Sequence, residues 1–320
     1  MKPKGQTDTT MLEISTAQVG FIGLGLMGSR LAGRLHAKGW QVRTWNRSPR
    51  KDEQAANQAV PRAASLASLC GTSDVILSCL ANDEAVRQVY FGPSGVLDFA
   101  RPGSILLEMS TISWELSQEL HREAARRGRQ MLDLPIAGST PAVEAGTITL
   151  LAGGDRAAFE ACTPIFESIA RQWFLVGPGG SGVKMKLVFN LLLGVEMAAI
   201  AEAIALGRQL DLPQNVLLDV LSRSAVVAPA FLGKLQKIRD GDYSPEFPLR
   251  LMSKDLNLIA NAAAAAATET PLAAAAEKLF AASVDSAGDL DFSAVASRNA
   301  GGMAPSPTTA QDGSAASKAS

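Results

Sequence analysis

With 320 residues, 47% of them hydrophobic, the chain can bury one or two full cores. Its 30 basic and 31 acidic residues leave a net charge of −1, too even a balance to draw nucleic acid or an anionic membrane. The first 18 residues lack the apolar segment of a secretory signal, and the three cysteines (Cys70, Cys79, Cys162) lack metal-ligand spacing, so a reduced, cytoplasmic setting is the expectation. The most apolar long window, 187–206, carries Glu196 and Glu202, which argues against a membrane span.

In chain order, residues 1–17 read as a flexible extension. A strand is expected over 18–22, running into Gly23-x-Gly25-x-x-Gly28 and a helix over 26–38. A glycine pattern that ends a buried strand and opens a helix is a dinucleotide-binding turn. Gly23 permits the tight turn, Gly25 lets the backbone approach a pyrophosphate, and Gly28 lets helix and strand pack closely. The helix N-terminus then offers free N–H groups to phosphate. Gly23, Leu24, Gly25, Leu26, Met27 and Gly28 are therefore the first cofactor candidates. A second strand, 41–45, ends at Asn46-Arg47-Ser48, with Lys51 just beyond. An acid here would hold a ribose 2′-hydroxyl, whereas Arg, Ser and Lys suit a 2′-phosphate. The expectation is NADP(H), with NAD(H) as the second choice. The alternative is a structural glycine turn beside a basic surface loop.

Further strands are expected over 75–79, 104–108, 131–133, 148–152 and 173–175, with helices over 82–90 and 113–127 between them. Strands alternating with helices indicate an α/β domain, a doubly wound parallel sheet of Rossmann type over 18–178. Ligands of such sheets bind beyond the carboxyl ends of strands, which places Leu80-Ala81-Asn82 and Ser110-Thr111 near the nicotinamide. From Asp133 to Ser139 a strand stops at Pro135 and small residues follow. Gly138 and Ser139 there form either a ligand loop or an ordinary tight turn. The two histidines, His36 and His121, lie on amphipathic helices and read as surface residues.

After Gly177-Pro178-Gly179-Gly180 the pattern turns helical: 181–209, 213–222, 229–237, 250–267 and 271–283. This is an all-α substrate and dimerisation domain over 179–298, joined to the first by a long helix. The alanine runs 262–267 and 273–276 suit packing against a second subunit, or reflect helix propensity alone. Residues 299–320, rich in Ala, Ser, Gly, Pro and Thr, read as a disordered tail. On the long helix Lys186 and Asn190 are four apart and share a face, while Lys184 points away. The strip they occupy is otherwise apolar or small. An ammonium held there would have a lowered pKa and could donate a proton, or else the chain would snorkel to solvent.

Taken together, V-G-F-I-G-L-G-L-M-G, W-N-R-S, M-S-T, P-I-A-G-S with Gly146, and G-x-G-V-K-M-K-L-V-F-N resemble the β-hydroxyacid dehydrogenase family. So do Phe247 with Lys254-Asp255 and the late G-D-L-D-F-S-A-V at 288–295. K-M-K-L-V-x-N and N-R-S point to its glyoxylate/succinic semialdehyde reductase branch. The resemblance implies Lys186 as the acid that protonates the carbonyl oxygen while hydride arrives, accompanied by Asn190. It implies cofactor contacts at Thr111 and Lys254, a cleft lined by Phe247 and Asp255, and a substrate carboxylate held by Gly138 and Ser139. The partner would be a small carboxylate-bearing carbonyl compound, and the assembly a homodimer or homotetramer. Family members usually have serine where this chain has Ala137. The alternatives are 3-hydroxyisobutyrate or tartronate semialdehyde chemistry, imine reduction, or a non-catalytic cofactor-binding module. An imine reductase would carry an acid or tyrosine in place of Lys186. A decarboxylating 6-phosphogluconate dehydrogenase would not have Leu191 after Asn190.

Overall fold

The computed structural model describes residues 12–13, 16–48 and 60–297. Lys51, the 299–320 tail and most of the 1–17 extension lie outside the described residues. Short apolar runs and helices alternate as β1 (Gln18–Ile22), α1 (Leu26–Ala37), β2 (Gln41–Trp45), α2 (Leu66–Thr72), β3 (Val75–Ser78), α3 (Asp83–Phe91), α4 (Val96–Phe99), β4 (Ile105–Glu108), α5 (Trp114–Arg126) and β5 (Gln130–Asp133). Then come β6 (Ile136–Ala137), α6 (Thr140–Ala145), β7 (Ile148–Gly154), α7 (Arg156–Ala161), α8 (Thr163–Ile169) and β8 (Ala170–Gly177).

The sheet order is β2-β1-β3-β4-β5-β7-β6, with β8 also pairing β7. From β2 through β5 every neighbour is parallel. The chain leaves β1 for β2 on one side and returns to β3 on the other. That reversal opens a crevice at the carboxyl ends of β1 and β3. Beyond β5 the sheet departs from a uniform parallel pattern, because β7 runs antiparallel to β5 and to β6. The six-residue α6 is too short to carry the chain back across the sheet, as a parallel crossover requires. The longer α7–α8 connection does so, and β8 is parallel to β7.

The second body contains α9 (Ser181–Gln209), α10 (Gln214–Arg223), α11 (Leu232–Asp240), α12 (Leu249–Ala265), α13 (Pro271–Ala281), α14 (Val284–Ala287) and a closing 3-10 turn, Phe292–Ser297. The 29-residue α9 is long and apolar enough to cross a membrane by length and composition alone. It is packed against β7, β8, α12, α13 and the closing turn. Gly182, Val183, Lys186, Asn190, Gly194, Met197, Ala201 and Ile204 lie buried along one side, the three-and-four spacing of a core-facing stripe.

Where the sheet hands over to α9, the carboxylate of Asp133 is completely buried at the end of β5. It accepts the N–H groups of Gly180 at 2.7 Å and Val183 at 2.8 Å, two donors that the first turn of a helix leaves free. His121 Nε2 lies 2.9 Å from the same carboxylate. His121 is therefore a half-buried partner of Asp133 and not the surface residue its helix pattern suggests; His36 is half-buried too. We predict that Asp133→Ala, which strands two buried donors, lowers stability by about 3 kcal/mol in chemical denaturation. A loss below about 1 kcal/mol contradicts this role for the carboxylate.

Candidate active site

The glycine turn follows from three local requirements. Gly23 sits at φ 91°, a left-handed conformation that favours glycine, and its N–H donates to the Trp45 carbonyl at 3.0 Å. A Cβ on Gly28 would overlap the Gly23 carbonyl oxygen, so α1 packs against β1 only without one. A Cβ on Gly25 would meet nothing within 4 Å. That open space lies at the N-terminus of α1, whose first turn carries no acidic residue. A pyrophosphate fits there, with N–H groups and the positive dipole end facing it.

Beside the turn lies a cleft of about 540 Å³, lined among others by Gly23, Gly25, Asn46, Arg47, Ser48 and Leu80. Asn46 has a structural task, since its Oδ1 accepts Leu24 N–H at 3.1 Å and its Nδ2 donates to Ser48 O at 2.7 Å. This ties the glycine turn to the end of β2. Arg47 is exposed at the rim, where Nη1 donates to Gln88 Oε1 of α3 at 2.7 Å. Among the described residues that line the cleft, Arg47 is a cation and none is an acid. Leu24 is buried, and Leu26 and Met27 are half-buried on the first turn of α1.

Deeper along the sheet edge, Leu80 N–H donates to Ser110 Oγ at 2.7 Å, joining the loops after β3 and β4. Lys254 of α12 donates to the Thr111 carbonyl oxygen, a bond between the two bodies. Lys254 Nζ also lies 2.9 Å from Asp255 Oδ1, and Asn190 Nδ2 donates to Asp255 Oδ2 at 2.6 Å. Asn190 is completely buried, and its Oδ1 has no hydrogen-bond partner among the described residues.

Lys186 is 7% exposed, with Nζ 5.1 Å from the centre of the Phe189 ring. It does not snorkel. Burial pulls its pKa down from 10.5 to about 8; Asp255 opposes that fall and Lys254 adds to it. Lys184 is exposed, 4.8 Å from the centre of the Trp114 ring, and takes no part in this cluster. The structure therefore brings Lys186, Asn190, Lys254, Asp255 and Thr111 to the junction of the two bodies. Gly138 and Ser139 follow β6, with φ 148° at Gly138 and a Ser139 side chain that makes no capping bond to α6. Ala137 is buried on β6. Phe247 precedes α12; its N–H donates to Asp291 Oδ2 at 3.2 Å and its ring meets Phe292 edge-on at 5.6 Å.

One group escaped sequence reasoning. Glu108 ends β4 as the only polar residue of I-L-L-E and was not singled out, yet it is completely buried. Ser110 was placed near the nicotinamide, but its partners across the sheet were not visible.

Both parts of the chain are similar to known proteins. Residues 18–177 match the profile described as the NAD binding domain of 6-phosphogluconate dehydrogenase. Residues 180–298 match the profile described as NAD-binding of NADP-dependent 3-hydroxyisobutyrate dehydrogenase. Glyoxylate/succinic semialdehyde reductase 1 of Arabidopsis thaliana is 33% identical over 279 residues, covering 87% of this chain and 96% of that protein. The chain belongs to the β-hydroxyacid dehydrogenase family. Cytokine-like nuclear factor N-PAC of Homo sapiens is 33% identical over 263 residues, covering 82% of this chain but 48% of that protein. The chain thus spans about half the length of the N-PAC relatives it matches. The crystal structure of 3-hydroxyisobutyrate dehydrogenase from Salmonella typhimurium superposes with a TM-score of 0.80 at 32% identity, covering 88% of this chain and 100% of that one.

Proposed function

We propose that the chain is an NADP(H)-dependent reductase of small aldehyde or keto acids, of the glyoxylate or succinic semialdehyde type. The observation that carries this reading is the buried Lys186 ammonium, four residues from the unsatisfied Asn190 oxygen. Arg47 and Ser48 on the cleft wall, with no acid among the described lining residues, support NADP(H) over NAD(H). The likeness to the Arabidopsis glyoxylate/succinic semialdehyde reductase and to NADP-dependent 3-hydroxyisobutyrate dehydrogenase supports the same chemistry.

When bound, NADPH supplies the hydride that reduces the carbonyl carbon. Lys186 Nζ gives a proton to the carbonyl oxygen, completing the alcohol, and regains one from solvent. A pKa of about 8 makes the lysine a stronger acid than usual while leaving it mostly protonated at neutral pH. Asp255, held by Asn190 and Lys254, keeps the ammonium charged in a buried site. Gly138 and Ser139 offer N–H and hydroxyl donors to the substrate carboxylate, and Ala137 withholds the hydroxyl that relatives usually present. In this reading Lys254 contacts the cofactor and Phe247 lines the substrate side of the closed cleft.

The reading includes a homodimer or homotetramer, because α9 also exposes Met185, Val188, Phe189, Leu192 and Leu206. Light scattering is expected to give a mass of two or four chains, and a monomer at micromolar concentration contradicts it.

The central assay follows NADPH and NADH oxidation with glyoxylate, succinic semialdehyde, methylmalonate semialdehyde and tartronate semialdehyde. Turnover with glyoxylate or succinic semialdehyde is expected, faster with NADPH, and the rate is expected to fall as pH rises above about 8 and Lys186 loses its proton. Arg47→Asp is expected to shift the NADPH/NADH ratio of kcat/KM at least about tenfold toward NADH, the loss of one charge-assisted phosphate contact. Tight NADPH binding with no turnover on any of the four would mark another carbonyl or an imine substrate, or a non-catalytic module.

A further inference from the structure

The α3 residues that line the cleft, Ala85, Gln88 and Val89, follow the three-and-four spacing of one helix face. Gln88 is the polar one among them, and the chemistry above gives it no task. Its Oε1 accepts Arg47 Nη1 at 2.7 Å, while its Nε2 donates to Glu84 Oε1, one turn back, at 2.6 Å. The two bonds fix the amide in one orientation, with its acceptor toward Arg47. Gln88 thus reaches from α3, which follows β3, to the loop that follows β2. Those two strands flank β1 and its glycine turn, so the bond joins the two walls of the nucleotide cleft.

An exposed arginine populates many rotamers, and freezing them on binding weakens affinity. Arg47 is exposed, yet both its ends are held before a ligand arrives. Asn46 bonds Leu24 N–H and Ser48 O, which pins the main chain around Arg47, and Gln88 holds Nη1 at the tip. Among the described residues Nε and Nη2 have no hydrogen-bond partner. They form the edge of the guanidinium that grips a phosphate with two parallel bonds. Glutamine suits this position by its charge, since an amide oxygen orients the guanidinium without cancelling it. A glutamate of the same length would form an ion pair with Arg47. It would also set a negative charge on the cleft wall, against a phosphate dianion.

We propose that Gln88 is a positioning residue that sets cofactor specificity: it aims the free edge of Arg47 at the 2′-phosphate of NADP(H). This rests on the reading of the cleft as an NADP(H) site, but not on the substrate or on Lys186. NADH carries a hydroxyl where NADPH carries the phosphate and makes no demand on the arginine. The effect of Gln88 therefore falls on NADPH, whereas a residue that merely supported α3 would matter equally to both nucleotides.

The test is the Kd of NADPH and of NADH for the full chain, read by nucleotide fluorescence at neutral pH and fixed ionic strength. Gln88→Glu is expected to weaken NADPH at least about tenfold and to leave NADH within about twofold. Gln88→Ala, which frees the guanidinium without neutralising it, is expected to weaken NADPH about threefold, again with NADH within about twofold. When Arg47 is already replaced by alanine, adding Gln88→Ala is expected to change the NADPH Kd by less than about 1.5-fold. Unchanged NADPH affinity in Gln88→Glu overturns the proposal. So does an equal loss for both nucleotides, or a Gln88→Ala effect that persists without Arg47. A wild type that binds NADH as tightly as NADPH contradicts the NADP(H) reading itself, and the proposal with it.

Discussion

The carboxylate of Asp133 is the constraint on which the site depends. It is enclosed at the end of β5 and accepts two N–H groups from the first turn of α9, so the helix cannot slide or tilt without stranding them. In water such bonds would contribute little, but in a buried site each unsatisfied donor costs roughly 1–3 kcal/mol. Lys186 lies three residues beyond Val183 and Asn190 one turn further on. Their position relative to the sheet edge is set at this junction. The Lys254 bond to Thr111 closes the same angle from α12, giving the two bodies a second point of attachment across the cleft.

The electrostatics of the junction oppose one another usefully. Burial alone would drive the Lys186 ammonium toward its neutral form, and Lys254 adds repulsion. Asp255 restores part of the charge, and it does so because Asn190 and Lys254 hold its two oxygens in place. The result is a lysine near 8, roughly ten-to-one protonated at pH 7. Removing any member changes the acidity of the lysine without touching it. The buried Glu108 is the counterpart on the sheet side, a carboxyl that burial pushes up to about 8 against the hydrogen bonds from Ser110.

Much of this was legible in the sequence, and the exceptions share a cause. The glycine turn could be read because Gly23 and Gly28 answer local steric demands and Gly25 leaves open space at the helix N-terminus. The bounds of α9 were visible because 29 residues of helix give many repeats of the three-and-four pattern. The common face of Lys186 and Asn190 follows from helix geometry, and the structure brings both into the core. Short elements were not visible: α2, α4, α6, α7 and α8 span four to seven residues, too few for periodicity to register. Nor was the reversal of β7, which depends on how far α6 can carry the chain. His121 was misread, and Glu108 was not singled out, because their partners are remote in sequence or across the sheet.

The most direct test of the central claim is a rapid-mixing measurement of hydride transfer from NADPH-loaded Lys186→Ala to an aldehyde acid that the wild type reduces. The account predicts a loss of at least about a hundredfold in that step, with NADPH Kd within about threefold of wild type, since positioned proton donors contribute on the order of 10² to 10⁴. Retention of more than about a tenth of the wild-type rate would contradict it, and the buried lysine would then be a structural charge rather than the proton donor.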